Sequence, residues 1–431
     1  MRKWKTVMGT LAGNIMEFYD WIIYANLSLY ISKNFFPSDN HSLSLLMTFG
    51  GFASGYLTRP IGSIIFGHIG DKYGRRMALL YSIILITFST FIIGLLPTYK
   101  EIGLFSPTLL IILRLLQGLA VSGEEGSAVV YLMEMFQMRK NAVMSSFVMA
   151  SVFWGVLLGS FSTLCCNWLI AKDNMYEWGW RIPFLFSIIL GLFSLKMRWL
   201  SVESPIFKSL HKNNGIESIP FVKLLQTNRL NLLKMFLLSG SFAIPSSVFC
   251  NYLPTYYSDK AEIGSQLALL VSTLGIANLC LLAPIVGLIA EKIGCRRTVN
   301  LGCMLLLIFG YPIFELWQIP NVPNLFIVEF SLSIILAFIS APMFAIIFEA
   351  FPVEVRCTGV ALAFNSGMAL FAGFTPLFII SASTWGYMSL FIGVYLALSG
   401  LGGIIALKSE PKMRDTVMSL DVFNILKDKQ L

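Results

Sequence analysis

The chain has 431 residues, of which 56% are hydrophobic and only 13% are charged, so it has too few charges to cover a soluble protein of this length. The composition therefore excludes a soluble enzyme or binding module and indicates a protein embedded in a membrane. The formal net charge is +8, but Lys and Arg are dispersed over many short polar segments. A nucleic-acid-binding protein, which would cluster them, is not supported.

Apolar stretches long enough to cross a bilayer as helices recur along the whole chain. A helix needs about 20 apolar residues to cross a hydrocarbon core of about 30 Å. About twelve spans meet this requirement, at about residues 6–32, 46–69, 77–97, 108–132, 142–170, 182–200, 234–257, 265–290, 298–317, 324–349, 357–382 and 386–407. The sequence therefore predicts an all-α polytopic membrane protein with twelve transmembrane helices.

The distribution of basic residues predicts the orientation of these spans. An even number of spans places both termini on one side of the membrane. Of the 31 Lys and Arg residues, about 24 fall on that side, about 5 on the other and two inside spans, so the positive-inside rule assigns both termini to the cytoplasm. We expect a multi-pass protein of the plasma membrane, or of the inner membrane if the source is bacterial.

The first span carries polar side chains that cannot face lipid without a penalty. Each acid at the centre of a bilayer would cost about 3 kcal/mol. The polar and aromatic residues on one side of this helix, at about 100° per residue, are Asn14, Glu17, Trp21 and Tyr24, with Asp20 at the flank. We expect this stripe to line a cavity; the alternative is that both acids lie near a helix end in water. The two acids, with no small-residue cleavage site after them, also argue against a cleaved signal peptide.

A compact charged segment follows the second span and recurs in the second half of the chain. Its glycine, acid, glycine and paired arginines are Gly67, Asp71, Gly74, Arg75 and Arg76. The corresponding residues of the repeat are Gly287, Glu291, Gly294, Arg296 and Arg297. The acid and arginines offer an ion pair that would latch one helix end against a neighbour. For the lysine beside them, a simple topology anchor is an equally good interpretation.

A second correspondence supports a chain built as two similar halves. Glu134-Met135-Phe136 with Arg139 in the first half matches Glu349-Ala350-Phe351 with Arg356 in the second. Repeats of polar patterns between apolar spans are typical of transporters with internal symmetry. We therefore predict an N-terminal six-helix bundle at 1–200, a polar cytoplasmic linker at 201–233, a C-terminal six-helix bundle at 234–407 and a short cytoplasmic tail at 408–431, in which no heptad pattern is sustained.

The fourth span contains a polar arc built around an arginine. Arg114, Gln117 and Glu124 or Glu125 recur at spacings that place them on one side of a helix. Arginine stays charged when buried and must find carboxylates. The candidates are Asp20 and Glu17 from the first span, or the two glutamates of its own helix. Such a pair would have to loosen when a proton binds; the alternative is a static buried salt bridge.

No metal site or other cofactor is predicted. The seven cysteines lie mostly inside predicted spans without metal-ligand spacing, so they are interpreted as packing residues. The sequence has no phosphate-binding G-x-x-x-x-G-K-[ST] motif, which argues against an ATP-driven pump. It also offers no nucleophile, base and orienter set, which argues against an enzyme.

Several of these motifs together resemble one known family. They are the charged segment after the second span, Gly13-Asn14 with Glu17-Phe18-Tyr19-Asp20, Arg59-Pro60-Ile61-Gly62, Arg114-Leu115-Leu116-Gln117-Gly118 with Gly123-Glu124, Trp180-Arg181-Ile182-Pro183-Phe184, Glu203-Ser204-Pro205, and Arg356-Cys357-Thr358-Gly359 with Asn365. The whole chain resembles the major facilitator superfamily and, within it, the metabolite:proton symporter branch. That branch contains carriers for proline and betaine, α-ketoglutarate, citrate and shikimate.

The resemblance implies a mechanism and roles for particular residues. Two six-helix bundles would rock about a midplane site, with protons driving uptake of a small solute. Asp20 would be the principal proton carrier tuned by Arg114, with Glu17, Glu124 and Glu125 as further coupling residues. The two charged repeats would act as latches that hold the outward-open state. The partners expected are the solute, protons and the lipid bilayer, with no nucleic acid, and the protein is expected to be a monomer.

The substrate class is inferred from the polar and aromatic residues at membrane depth. The candidate substrate contacts are Asn14, Tyr24, Arg59, Gln117, Trp154, Asn251, Tyr252, Tyr256 and Asn365. A zwitterion needs one cation, one acid and aromatic faces, whereas a dicarboxylate favours at least two unpaired cations. The set favours a zwitterion such as proline or betaine. A di- or tricarboxylate remains the alternative, and a transport-inactive membrane sensor is a remote one.

Overall fold

The computed structural model describes residues 2–136, 140–213, 215–253, 265–319, 321–375, 378–379 and 388–408. These residues are almost entirely helical, and no strand occurs among them. The main helices of the predicted spans are α1 (Arg2–Asn26), α2 (His41–Leu57), α3 (Arg59–Lys72), α4 (Arg75–Leu95), α5 (Phe105–Met135), α6 (Asn141–Leu169), α7 (Arg181–Trp199), α8 (Arg229–Ser247), α9 (Ser265–Ile293), α10 (Cys295–Gln318), α11 (Val322–Ser340), α12 (Met343–Glu349), α13 (Arg356–Gly367) and α14 (Met388–Lys408). The predicted all-α polytopic class is confirmed.

The helices follow the predicted spans closely. Within the described ranges, nine helical segments are long and apolar enough to cross a membrane. Helices also occupy the other three predicted positions: α1 carries acids in its middle, α2 and α3 share one span, and α14 closes the second half. The break between α2 and α3 falls at Thr58, directly before Arg59-Pro60. Proline starts a helix readily but cannot continue one, so Pro60 sits in the first turn of α3.

Two tight turns show the same backbone solution in the two halves. Gly74, between α3 and α4, has φ +118°, and Gly294, between α9 and α10, has φ +100°. Side chains strongly disfavour this region, so glycine is the residue that permits each turn. The repeated glycine of the sequence therefore has a conformational cause in both places.

Helices of the two halves meet along two seams. In one seam α6 packs on α9, and in the other α13 packs on α3 and α5. Small residues allow these close approaches. A Cβ added to Gly67 would come within 2.6 Å of the Thr358 Cα, and one added to Gly126 would overlap Ala361. The seams bring the two halves together around a central space.

Two π-helical segments interrupt the spans of the second half that face this space. They are Val248–Tyr252, after α8, and Met368–Ala372, after α13. Such segments are rare and are frequently found at functional sites. The second falls within the predicted span 357–382. The predicted linker, 201–233, contains two short helices, Pro205–Lys212 and Pro220–Thr227. The predicted tail after residue 408 lies outside the described residues. The predicted boundaries of the two bundles stay predictions.

Candidate functional site

A small cavity lies between the two halves, with a volume of about 40 Å³. Its lining residues come from both halves: Phe18, Trp21, Ile22, Tyr56, Glu125, Met149, Val152, Phe153, Val156, Phe242, Ser246, Ser247, Cys250, Asn251, Phe364, Met368 and Ala372. Among the described residues of this lining, Glu125 is the one that is charged. The cavity is thus an apolar and aromatic chamber with a single acidic corner.

The acidic corner contains an arginine that is only loosely paired. The Arg59 guanidinium lies 4.5 Å from the Trp21 ring and 4.6 Å from the Tyr56 ring. Its Nη1 is 3.9 Å from the Glu125 Oε2, too far for a hydrogen bond. Neither oxygen of Glu125, nor Nε and Nη1 of Arg59, has a hydrogen-bond partner in the described residues. Both groups therefore have hydrogen-bonding capacity left for a ligand.

Arg114 lies in an aromatic box next to this corner. Its guanidinium is 4.6 Å from the Trp21 ring, 4.1 Å from the Tyr24 ring and 5.3 Å from the Phe52 ring. In the described part of the chain no carboxylate lies within 4.0 Å of it. The expected direct pairing of Arg114 with a carboxylate is therefore wrong for this conformation, because its charge is held by ring faces and by one amide, that of Gln117.

A chain of hydrogen bonds connects Arg114 to Asp20 instead. Arg114 Nη1 donates to the Gln117 Oε1 at 2.8 Å, Gln117 Nε2 donates to the Thr90 hydroxyl at 2.6 Å, and that hydroxyl donates to the Asp20 Oδ2 at 2.5 Å. All four side chains are buried. Every donor points towards the carboxylate, so each bond polarises the next. The Asp20 Oδ1 has no hydrogen-bond partner in the described residues.

Glu124 is engaged in an ion pair that the sequence reasoning missed. Arg198 binds both carboxylate oxygens of Glu124, with Nη1 at 2.6 Å from Oε2, and Ser82 donates to the same Oε2 at 2.9 Å. Arg198 is buried at 2% exposure, although it lies near the end of the predicted span 182–200. Gly13 lies directly against it, since an added Cβ would overlap the guanidinium. This close contact explains why glycine occupies position 13 in the Gly13-Asn14 motif.

Glu17 stands between these two charged groups. Its charged neighbours are Glu125, Arg59, Arg198 and Asp20. Neither of its oxygens has a hydrogen-bond partner in the described residues, and the side chain is 1% exposed. The stripe predicted on α1 is therefore brought into the interior. The alternative, two acids solvated near a helix end, is wrong.

The predicted substrate contacts separate into those near the cavity and those that hold helices together. Asn251 lines the cavity. The amide of Asn14 donates to the Ser151 hydroxyl at 3.3 Å, and that of Asn365 donates to the Ala361 carbonyl at 3.0 Å. Tyr252 packs edge-on against Trp317, with centroids 5.4 Å apart, and Tyr256 lies outside the described residues. These side chains mostly fix helix positions around the chamber.

Trp154 does not lie where it was predicted. Its side chain is 48% exposed on the outside of α6. Its neighbours Val152, Phe153 and Val156 line the cavity instead. Residues one apart on a helix face different directions, so the rotation of α6 that turns Phe153 inward turns Trp154 outward.

The charged segment after the second span forms a closed, buried network of polar contacts. It lies at the end of the molecule where α3 and α9 end, and we call this end of the molecule the basic face. The Asp71 Oδ1 accepts the Cys357 N–H at 2.9 Å, and its Oδ2 accepts the N–H and the hydroxyl of Thr358 at 2.9 and 2.8 Å. Asp71 on α3 thus caps the N-terminus of α13, where free N–H groups and the helix dipole favour a negative charge. This contact joins the two halves.

Arg75 connects the same network to two further charged residues. It donates to both oxygens of Glu134 at 3.2 Å and to the Val353 carbonyl at 3.0 Å. Its Nη1 is 3.4 Å from the Asp71 Oδ1. Arg356 approaches the Glu134 Oε1 from the other side at 3.7 Å. In this conformation the two halves are therefore held together at the basic face.

Arg76 faces the segment that follows α7. Its N–H donates to the Glu203 Oε2 at 3.1 Å, and its Nη2 donates to the Trp199 carbonyl at 2.6 Å. Burial raises the pKa of the Glu203 carboxyl. Arg139, quoted in the second correspondence, lies outside the described residues.

The repeat in the second half is arranged differently. Glu291, Arg296 and Arg297 are exposed, and in the part of the chain that the structure describes none of them forms an ion pair within 4.0 Å. Gly287 does pack closely, against Ser146 of α6. The glycine positions thus repeat their structural role, but the charges are brought together only in the first half.

Comparisons with known proteins agree with this fold. A family model described as Major Facilitator Superfamily matches residues 10–356. A provisionally named proline/betaine transporter of Staphylococcus haemolyticus is 33% identical over 86% of this chain and 80% of its own. An alpha-ketoglutarate permease of Escherichia coli is 29% identical, covering 93% and 92%. The solved proton:xylose symporter XylE, bound to 6-bromo-6-deoxy-D-glucose, superposes with a TM-score of 0.79 over 94% of each chain, at 16% identity.

Proposed function

We propose that this chain, which belongs to the Major Facilitator Superfamily, imports a small zwitterionic solute of the proline or betaine class together with protons. The family and its transporter-named relatives identify a multi-pass membrane transporter of small molecules and not an enzyme. The substrate, the proton coupling, the cytoplasmic position of the basic face and the monomeric state are our proposals.

The acidic corner of the cavity is the observation that supports a zwitterion. The Arg59 guanidinium lies over the Trp21 and Tyr56 rings in this conformation, so Glu125, which lines the cavity, would hold the cationic end of such a solute. The carboxylate of the solute would then take the hydrogen bonds that Arg59 leaves unused. Because Arg59 and Glu125 are 3.9 Å apart and not hydrogen-bonded to each other, a solute could bind each of them without first breaking a hydrogen bond between them. The proline/betaine name of a relative points the same way.

A dicarboxylate is the second candidate, supported by the alpha-ketoglutarate permease among the relatives. It would favour two cations without an internal partner. Arg59 is opposed by Glu125, and Arg114 is screened from the cavity by Trp21, Tyr24 and Phe52. We therefore place the dicarboxylate below the zwitterion.

Proton coupling is assigned to Asp20 through the Gln117–Thr90 chain. When Asp20 is ionised, Thr90 donates to Oδ2, and the chain extends to the charge of Arg114. A proton can add at Oδ1, which has no partner in the described residues, without removing the Thr90 hydrogen bond. Protonation removes the negative charge at the end of the chain and weakens the attraction between α1 and α5. An inward gradient supplies about 2.3 kcal/mol per charge for each 100 mV.

Alternating access would then use the network at the basic face. Asp71, Arg75, Glu134 and Arg356 hold the two halves together there, so the cavity is closed to that side in this conformation. We propose that this side is the cytoplasm and that separation of Asp71 from α13 opens it. The charged repeat around Glu291 would either act as a latch in another conformation or serve only to set the membrane topology.

Reconstituted protein under an imposed proton gradient tests this function. Purified protein in liposomes should accumulate labelled proline or betaine only when the gradient is inward, and should accumulate α-ketoglutarate, citrate and shikimate less. Uptake of a dicarboxylate alone would refute the zwitterion assignment. Failure of every exchange reaction would favour a membrane sensor.

A pair of matched substitutions tests the assigned residues. Asp20→Asn should abolish gradient-driven accumulation and leave counterflow exchange, because solute binding survives while the proton site is lost. Trp21→Ala should weaken solute binding, whereas Trp154→Ala, an equal truncation on the exposed side of α6, should leave it unchanged. Equal loss of exchange and accumulation in Asp20→Asn would refute its role.

A further inference from the structure

The second half contains a buried acid that the proposed function does not use. Glu329 lies in α11 and has no exposed surface. The Ser272 hydroxyl of α9 donates to its Oε1 at 3.0 Å. Its Oε2 has no hydrogen-bond partner in the described residues. It lies directly over Gly275, where a Cβ would come within 2.7 Å of that oxygen.

No cation compensates this carboxyl in the part of the chain that the structure describes. Among the residues of the second half whose burial the structure describes, the only other buried charged one is Arg356, which faces Glu134 at the basic face. The elements packed on α11 bring Ser272, Gly275 and the thiol of Cys250 to Glu329, with Cys280 beside that thiol. The segment 254–264 carries Asp259, Lys260 and Glu262 and lies outside the described residues.

An ionised carboxylate with one hydroxyl partner at this depth would cost several kcal/mol. Glu124 and Glu125 of the first half differ from it, because each has an arginine within 4.0 Å. The packing of α9 on α11 seen here is therefore compatible with a neutral Glu329. Ionisation would favour an arrangement in which water or a cation reaches the carboxyl.

Glu329 also lies immediately behind the cavity wall. Its neighbours Phe249 and Cys250 belong to the π-helical segment Val248–Tyr252. Cys250 and Asn251 of that segment line the cavity. A change in how α9 packs against Glu329 would thus be transmitted to a cavity-lining helix by direct contact.

We propose that Glu329 is a second proton-binding site, located in the C-terminal half, whose proton is bound in this conformation and released when α9 and α11 separate. The site binds and releases a proton at one carboxylate oxygen and needs no other reactant. It rests on the proposed function in that the bound proton is carried in the transport cycle in addition to that of Asp20. One cycle would then move at least two protons per solute.

Infrared difference spectroscopy tests the protonation directly and needs no substrate. In reconstituted full-length protein at neutral pH, the spectrum of wild type minus Glu329→Gln should contain the carbonyl band of a protonated carboxylic acid. That band should disappear reversibly as pH rises. The control Glu315→Gln, on the exposed side of the neighbouring helix α10, should give a carboxylate signal only. Absence of the acid band, or a band that never titrates while the protein stays folded, overturns the proposal.

The charge carried per solute gives the second readout. With proline or betaine as the probe, the reversal potential should correspond to one proton fewer per solute in Glu329→Gln than in wild type or Glu315→Gln. An unchanged ratio overturns the proposal. Lys260→Gln tests whether this lysine pairs with Glu329, and it should leave the acid band intact. If the band is absent from wild type and appears in Lys260→Gln, Glu329 forms an ion pair with Lys260 and is not a proton site. If neither solute is carried, the proposed function fails, and the infrared result still decides protonation of Glu329.

Discussion

Replacing Asp71 with Asn should open the basic face. The carboxylate accepts three hydrogen bonds from the first turn of α13, at 2.8 to 2.9 Å, and lies 3.4 Å from Arg75. Asn keeps one oxygen and turns an NH₂ group towards N–H donors. Because Oδ1 accepts one of these hydrogen bonds and Oδ2 accepts two, the variant loses one or two of the three, together with the charge that favours the N-terminus of α13.

The size of the effect follows from those contacts. A hydrogen bond to a charged group contributes about 1.5–3 kcal/mol, and water satisfies part of the lost capacity once the face opens. We take about 3 kcal/mol as the net loss of the closed state relative to the open one. Since about 1.4 kcal/mol is a tenfold change in a population ratio, the open fraction should rise about 100-fold.

Cys357 provides the assay, because it is buried beneath Gly70 in the closed network. In a protein with Cys357 as its only cysteine, a membrane-impermeant maleimide applied from the basic face should label Asp71→Asn up to about 100-fold faster than the parent. Glu291→Gln is the matched control, because Glu291 is the corresponding acid of the repeat in the second half and is exposed. Solute affinity should change much less than turnover.

Two results would refute this reasoning. The first is equal labelling of Cys357 in the variant and the parent, with both proteins folded. The second is an affinity that collapses while turnover stays constant. A Glu291→Gln protein that labels as fast as Asp71→Asn would instead show that both repeats act as latches in this conformation.

Three further predictions concern stability, each measured by unfolding in detergent. Arg198→Met should lower the free energy of unfolding by about 3–5 kcal/mol, because Glu124 is left buried without its partner. Adding Glu124→Gln should restore most of this loss, and a double variant no more stable than the single variant would contradict the prediction. Gly118→Ala should disrupt packing of α5 on α2, where its Cβ would overlap a backbone carbonyl, whereas Gly402→Ala, whose Cβ meets nothing within 4 Å, should be neutral. Because burial raises the pKa of Glu203, the folded state holds that proton more tightly, so stability should fall as pH rises from about 4.3 through the raised pKa; a Glu203→Gln protein with the same pH profile would contradict this.

The spans were predictable because hydropathy is a local property of the chain. A stretch such as Arg75–Leu95 must be helical and must cross the bilayer, whatever its neighbours are. The break at Arg59-Pro60 and the turns at Gly74 and Gly294 are also local, since proline and glycine act on their own backbone. These features fix the fold class without any knowledge of packing.

The site was predicted only in part. The stripe of polar residues on α1 was predicted because a charged residue at membrane depth is unusual by itself. Its partners were not found, because the partner of a buried charge is chosen by how helices are rotated and which ones adjoin. The alternatives for Arg114 were all carboxylates, while the structure gives it Gln117 and three aromatic rings.

The sequence by itself determined a polytopic helical protein of two similar halves, with acids and arginines buried in the first. The tertiary structure alone decided that Arg198 faces Glu124 across 74 residues of chain, that Asp71 caps α13 while Glu291 stays exposed, and that Phe153 rather than Trp154 enters the cavity. The physical reason is the same in each case. Helical periodicity tells which residues share a face, but only the packing of neighbouring helices tells what that face meets.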